Sequence, residues 1–288
     1  NVASLVGHGT LRRAIGIDIT KPAVASDVRR LDYLLREAFD AGAFGLSTGL
    51  GRSFGLRTEH EELEVLFATA RKYNAMTAHH LADEGAGIVG ALSRIVSALR
   101  ESGASGHISH FKVVGRKSWP RASAAHELVE NARLSGIALT LDVFPYTRTG
   151  SNLYLLLPEW AREGGREQIL TRLRDPSSLP ALADALRSLT LHYDRITVAS
   201  TLHDTGAVGK TLSELAARSG REPERIALEL LEINQLHVAI FNEVISEDAI
   251  TDAILRDYTA VASDGVGQGM QNARPTDLPH PRSFGAFP

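Results

Sequence analysis

The chain has 288 residues, a formal net charge of −3 at neutral pH, 43% hydrophobic residues and 23% charged residues. These proportions are those of an ordinary globular protein, so they exclude a disordered chain, a collagen and a coiled-coil rod. The slightly acidic balance excludes a global basic field, and we therefore expect no nucleic-acid partner. Cysteine is absent, which excludes a disulfide framework and a cysteine-rich zinc module.

The two ends of the sequence predict a fragment. After Asn1 the sequence continues directly with an apolar run, residues 2–7, that is typical of a buried strand. The last residues, 284–288, include no closing helix or tail. We find no signal peptide and no apolar run of about 18 residues, so we expect a cytoplasmic protein without a membrane partner.

Strands and helices alternate through the first half of the chain. Short apolar runs bounded by turn residues predict strands at 43–47, 75–79, 107–110 and 138–143. Apolar residues at helical spacing predict helices at 31–41, 61–73, 87–102 and 122–135. This alternation predicts parallel strands joined by helical crossovers, and hence an α/β fold.

The alternation fails between about residues 150 and 250. The sequence predicts helices at 160–174 and 179–191, followed by a strand at 196–200. We therefore expect an insertion or a lid in this region. A further strand, 259–263, then leads into Asp264. No internal repeat and no clear linker interrupts the sequence, so we expect one domain over 1–288.

Polar residues lie at the carboxyl ends of several predicted strands, namely His80, His110, Asp142 and Asp264. A doubly wound sheet and a (β/α)8 barrel both alternate strands with helices, but barrel active sites are built from such strand ends. No GxGxxG sequence follows an early strand, and no P-loop is present, so a nucleotide site is not supported. We therefore favour a TIM-like barrel.

His80 and His110 lie 30 residues apart, which is one strand-helix unit. In a barrel this spacing places them on adjacent strand ends, where two imidazoles can share one divalent ion such as zinc. Alternatively, each histidine makes only hydrogen bonds in the core or faces solvent. His79 competes with His80, because only one of two neighbouring residues on a strand points inward.

Asp264 ends an apolar strand and is followed by glycine, a pattern that is also typical of an ordinary turn. Beside a metal, its carboxylate can take a proton from metal-activated water and pass it on. Lys112 and Arg282 suit an anionic substrate, although Lys112 could equally be a solvated charge. Tyr146 could bind the substrate or only cap the barrel.

Seven short strings occur in order along nearly the whole chain. They are 6–12 (VGHGTLR), 45–50 (GLSTGL), His80 with Glu84, 108–112 (ISHFK), 142–146 (DVFPY), 263–265 (SDG) and 280–285 (HPRSFG). With these strings the chain resembles the N-acyl-D-amino-acid deacylase (D-aminoacylase) family of the amidohydrolase superfamily. The resemblance implies an incomplete TIM-like (β/α)8 metal-dependent hydrolase barrel, with about strands three to eight and an insertion before the last strand.

The resemblance also implies a metal site. It assigns zinc, as one or two ions, to His80 and His110 at the ends of strands five and six, and the offset to Glu84 selects His80 over His79. It assigns the catalytic general acid and base to Asp264.

Contacts to the substrate carboxylate are implied at Lys112, Tyr146 and Arg282. The implied reaction is zinc-dependent hydrolysis of a linear amide, an N-acyl-D-amino acid, to a carboxylate and a D-amino acid by metal-activated water. The substrate is then a small molecule with a free carboxylate. Alternatives are another amidohydrolase of the dihydroorotase, hydantoinase or isoaspartyl dipeptidase type, and a non-catalytic barrel. The oligomeric state is not indicated.

Several departures from the family pattern accompany the resemblance. The family's first metal ligands, a His-x-His and a cysteine, would lie before residue 1, so we expect the 288-residue piece alone to be unstable or inactive. Arg52 and Phe54 stand where the family usually has Tyr and Pro, which suggests an altered acyl pocket. We expect His8 to have a structural role, as a hydrogen-bond partner behind the site.

Overall fold

A computed structural model describes residues 2–18, 21–50, 58–189, 191–266 and 277–287. Arg52 and Phe54, and with them the expected change in the acyl pocket, lie outside the described residues. The chain forms two compact units. The first unit is Asn1–Pro145 with Ile245–Ala262, and the second unit is Tyr146–Val244 with Ser263–Pro288.

Six parallel strands form the sheet of the first unit and lie side by side in chain order. They are β1 (Leu5–Gly7), β2 (Gly45–Gly49), β3 (Met76–His80), β4 (Gly106–Ile108), β5 (Leu139–Val143) and β9 (Thr259–Val261). The helices of this unit are α1 (His8–Ala14), α2 (Ala25–Asp40), α3 (His60–Lys72), α4 (Ile88–Ser102), α5 (Arg121–Leu134) and α11 (Glu247–Ile254). The predicted α/β class is confirmed, and the parallel sheet is that of a partial barrel.

Helix α4 illustrates why these segments fold as they do. Its apolar residues recur at helical spacing, and Ile88, Leu92 and Leu99 are all fully buried. The helix ends at Gly103, whose φ of 65° gives the left-handed C-cap that glycine adopts most readily. The side chain of Leu99 fills the space above Gly106, where a Cβ would overlap its methyl groups. Glycine at the start of β4 therefore lets helix and sheet pack closely.

The register of the sheet determines which residues meet at its carboxyl edge. Gly49 of β2 pairs with His80 of β3, and Ile108 of β4 pairs with Leu141 of β5. Strand β4 ends two residues earlier than expected from the sequence, so His110 lies in the turn that follows the strand. The ends of β3 and β4 thus bring His80 and His110 to the same edge.

The second unit contains an antiparallel sheet in the order β6-β8-β7. These strands are β6 (Arg148–Asn152), β7 (Ile196–Thr201) and β8 (Val238–Glu243). Its helices are α6 (Glu159–Arg162), α7 (Gly165–Arg174), α8 (Leu179–Ser188), α9 (Leu212–Ser219), α10 (Pro223–Ile233) and α12 (Arg282–Gly285). The unit has its own apolar core, which includes Leu173, Val198 and Leu231. Across the described ranges, none of the helices combines the length and apolar character needed to cross a membrane.

Candidate metal centre

The adjacent histidines of β3 have different surroundings. His79 is fully buried, and its two ring nitrogens lie 2.8 Å from Thr48 Oγ1 and 2.9 Å from Thr77 Oγ1. Burial, together with the charge of His107, lowers the pKa of His79 to about 3, so the ring is neutral. His80 is half-buried at the strand end and lies beside His110. The alternation of the strand therefore assigns His79 to the core and His80 to the carboxyl edge.

His80 and His110 approach each other through ring nitrogens. His80 Nδ1 lies 2.9 Å from His110 Nε2, and the ring centroids are 4.6 Å apart in an edge-on arrangement. Two nitrogens bound to one zinc ion at 2.0–2.1 Å each would be about 3.3 Å apart in tetrahedral geometry. The observed separation is close to that value, so a small adjustment of either ring would admit an ion.

Glu84 completes a group of three donors. Its Oε1 lies 3.2 Å from His110 Nδ1 and 3.9 Å from His80 Nδ1. Burial raises the pKa of Glu84, but the hydrogen bond with His110 and the charge of Lys112 outweigh it and lower the pKa to about 2. Among the described residues, His80, Glu84 and His110 are the set whose donor atoms all lie within 4.8 Å of one another.

The sequence pattern indicates Glu84 only through its offset from His80 and does not identify it as a ligand. The signal that could have identified it is the spacing of four residues from His80. Lys112 was expected to contact a substrate carboxylate, and here its Nζ donates to Glu84 Oε1 at 2.5 Å. The same ammonium lies 3.0 Å from His110 Nδ1, and its side chain is 9% exposed. Lys112 is therefore the counter-ion of Glu84.

The second unit holds the other three predicted site residues. The Arg282 guanidinium lies 2.7 Å from Asp264 Oδ2, and Asp264 has a φ of 46° in the left-handed region. The Tyr146 hydroxyl donates to the carbonyl oxygen of Gly285 at 2.9 Å. His280 packs edge-on against Tyr146 and accepts a hydrogen bond from the backbone N–H of Arg282. The structure thus brings Asp264 and Arg282 together, with Tyr146 bonded to the last residue of α12.

His8 lies in a buried ionic cluster that links α1 to α3. Its Nε2 is 2.7 Å from Glu62 Oε1, and Arg12 Nη1 reaches both carboxylate oxygens at 2.8 and 2.6 Å. All three side chains are at most 1% exposed. Burial raises the pKa of Glu62, but the hydrogen bonds and charges of His8 and Arg12 outweigh it and give a lowered pKa.

Comparisons with known proteins agree in sequence and in fold. No family model matches the chain. The whole chain is 28% identical to an N-acyl-D-glutamate deacylase and 27% identical to a D-aminoacylase, both from Alcaligenes xylosoxydans xylosoxydans, and covers 50% of each. A solved N-acyl-D-glutamate deacylase of Bordetella bronchiseptica, complexed with zinc and a phosphonate inhibitor, superimposes with a TM-score of 0.74 at 24% identity. That match covers 99% of this chain and 51% of the other.

The chain spans about half the length of the curated relatives it matches. The structural match confirms the fold predicted from the sequence, a partial barrel of the kind found in these deacylases. The matches to curated proteins confirm the resemblance that the seven strings indicated. Along its whole length, this chain is similar to an N-acyl-D-glutamate deacylase and to a D-aminoacylase.

Proposed function

We propose that the protein is a metal-dependent deacylase that hydrolyses an N-acyl-D-amino acid to a carboxylate and a free D-amino acid. The observation that carries this proposal is the convergence of His80, Glu84 and His110 at one edge of the parallel sheet. Relationship to such deacylases over the full 288 residues supports the same conclusion. The charge balance of the chain supports a small-molecule substrate, because it offers no basic field for a nucleic acid.

The donor set fits zinc. Two imidazoles and one carboxylate are the protein ligands of a common class of catalytic zinc site. His80, His110 and Glu84 would hold the ion, and we expect one or two zinc ions in the complete enzyme. When bound, the ion polarises the amide carbonyl and lowers the pKa of a water molecule.

Asp264 is the proposed general acid and base. It follows β9, a strand of the same parallel sheet as β3 and β4, by three residues. Its carboxylate would accept a proton from the attacking water and deliver it to the nitrogen of the departing amine. That proton matters because an amine leaves an amide poorly unless its nitrogen is protonated.

Lys112, Tyr146 and Arg282 are the proposed contacts to the substrate carboxylate. A guanidinium can bind a carboxylate through two parallel hydrogen bonds, and an ammonium binds it as a point charge. Each of the three now donates to an acceptor of the protein itself. Substrate binding would therefore exchange an internal acceptor for the substrate carboxylate.

We further propose that residues 1–288 are part of one amidohydrolase barrel domain, whose remaining strands and first metal ligands lie in the other half of the polypeptide. The support is the coverage of about half of each relative. On this proposal the 288-residue piece alone is inactive, so activity must be measured on the protein in its natural full length.

The test combines zinc content with hydrolysis of N-acetyl-D- and N-acetyl-L-amino acids by the wild type and three variants. Asp264→Ala should keep its zinc and lose turnover, whereas His110→Ala should lose both. His60→Ala, which removes an exposed histidine paired with Glu101, is the matched control and should change neither. D-selective turnover in the wild type supports the proposal. Zinc without turnover would instead favour a cyclic-amide hydrolase, and absence of both would favour a non-catalytic barrel.

A further inference from the structure

His110 has a backbone conformation that few residues other than glycine adopt. Its φ is 43°, in the left-handed region, at the turn that follows β4. This conformation is disfavoured for an L-residue because Cβ crowds the following carbonyl oxygen. Such a residue keeps its conformation only when its surroundings impose it.

Asp142 of β5 supplies the contacts that hold His110. Its Oδ1 accepts a hydrogen bond from the backbone N–H of His110 at 2.7 Å. Its carbonyl oxygen accepts one from the backbone N–H of Phe111, also at 2.7 Å. A single residue of the neighbouring strand therefore binds two successive peptide groups of the turn that carries His110.

The carboxylate of Asp142 is itself fixed from the other side. Its Oδ2 lies 2.7 Å from His107 Nε2, and His107 Nδ1 lies 2.8 Å from Thr140 Oγ1. An ionised carboxylate only accepts hydrogen bonds, so Nε2 of His107 carries the hydrogen that it donates to Oδ2. Asp142 and His107 are 13% and 17% exposed, which limits competition from water.

We propose that Asp142, held by His107, is a positioning residue that aims the His110 ring at His80. The inference rests on the proposed metal function. With both carboxylate oxygens already bonded, Asp142 acts through the backbone of His110. The consequence of this arrangement is that His110 Nε2 stays within 2.9 Å of His80 Nδ1 before any ion binds. A preset pair of ligands binds a metal more tightly than a pair that must first be ordered.

The test compares zinc affinity with thermal stability in three variants of the full-length protein. Asp142→Ala removes both carboxylate oxygens and keeps the backbone carbonyl that accepts from Phe111. Asp142→Asn keeps an oxygen for the N–H of His110, and its amide can donate to His107 once that ring moves its proton to Nδ1. Asp32→Ala is the matched control, because Asp32 is a half-buried carboxylate that accepts from Arg36 and Thr69 on the helical side of the same unit.

Zinc affinity is measured by competition with a chromogenic chelator, and the melting temperature is measured without metal. Asp142→Ala should bind zinc about 10–100-fold more weakly than the wild type. Asp142→Asn should retain most of the affinity, and Asp32→Ala should lose melting temperature without losing zinc affinity. A purely structural role for Asp142 would instead lower the melting temperature and leave the zinc affinity of the folded variant unchanged.

Two further variants separate this inference from the proposed function. If His80→Ala and His110→Ala bind zinc like the wild type, the proposed metal centre is wrong. If they lose zinc while folded Asp142→Ala keeps wild-type affinity, the positioning role alone is overturned. Should Asp142→Ala not fold, His107→Phe leaves Asp142 in place and removes the donor to its Oδ2, together with the contact to Thr140. Weaker zinc binding by that variant supports the role, and unchanged binding contradicts it.

Discussion

His80 Nδ1 and His110 Nε2 lie 2.9 Å apart at the carboxyl edge of the parallel sheet. The two rings come from different strand-helix units, and the parallel pairing of β3 with β4 brings them together. Glu84 and Lys112 add one negative and one positive charge beside them. The result is a compact polar group at the ends of two neighbouring strands.

The neighbours His79 and His80 should respond differently to the same substitution. His80→Ala should lose zinc with little change in melting temperature, because the side chain is half-buried at the edge. His79→Ala should lower the free energy of unfolding by about 1–3 kcal/mol, since it removes the buried hydrogen bonds with the hydroxyls of Thr48 and Thr77. Among the described residues, only the Thr77 hydroxyl keeps another partner, the carbonyl oxygen of Ser105. Zinc titration and chemical denaturation of both variants check this. The assignment would be contradicted if folded His79→Ala lost its zinc and His80→Ala kept it.

Glu62 should be essential to the buried ionic cluster. Glu62→Ala leaves the fully buried guanidinium of Arg12 without its carboxylate, and such a loss costs about 3–5 kcal/mol of unfolding free energy. Glu101→Ala is the control, because its ion pair with His60 is exposed to solvent and should contribute far less than the buried cluster. Denaturant unfolding measures both. Equal effects of the two substitutions would show that burial of the cluster is unimportant.

Acid sensitivity should depend in part on His126. Burial and the charge of Arg256 lower its pKa below 6.5, so the folded protein binds this proton less readily than the unfolded chain. Its neutral form therefore contributes stability that is present above pH 6.5 and is lost as the pH falls from 6.5 through the folded-state pKa. Replacing it in His126→Gln should flatten the dependence of unfolding free energy on pH in that window. An unchanged slope would refute this origin.

Two glycines of neighbouring elements should respond oppositely to alanine. A Cβ on Gly106 would overlap Leu99, and overpacking of this kind typically costs about 1–3 kcal/mol. Gly90 lies in α4 with open space where a Cβ would be, so Gly90→Ala should stabilise the helix by about 0.5–1 kcal/mol. The melting temperatures of the two variants show whether each substitution stabilises or destabilises the protein. A neutral Gly106→Ala would mean that helix and sheet are less closely packed than described.

Much of the first unit could be predicted from the sequence because local and global patterns agree there. The apolar runs and amphipathic stretches locate β2 to β5 and α3 to α5 to within two residues, whereas α2 begins six residues before the predicted helix 31–41. The sheet of the second unit was not predicted beyond β7. Strand β6 has the sequence Arg-Thr-Gly-Ser-Asn, which lacks the alternation of apolar and polar residues, and its antiparallel pairing with β8 joins segments about 90 residues apart.

The candidate site was predicted only in part for a similar reason. The strand ends indicated His80 and His110 because each follows an apolar run. Glu84 lies in a loop whose path depends on tertiary contacts, including the backbone hydrogen bond between Val114 and Glu84. The link from His107 through Asp142 to His110 depends on the register between β4 and β5, which the sequence does not state. The assignment of Asp264 to catalysis, and of Lys112, Tyr146 and Arg282 to substrate binding, stays a prediction.

X-ray absorption at the zinc edge of the full-length protein tests the metal assignment most directly. Zinc bound as proposed should give nitrogen or oxygen scatterers at about 2.0–2.1 Å, with the outer-shell pattern of imidazole. The number of imidazole scatterers should fall in His80→Ala and in His110→Ala, and it should not change in His60→Ala. A zinc spectrum that is identical in the wild type and in both site variants would contradict the account.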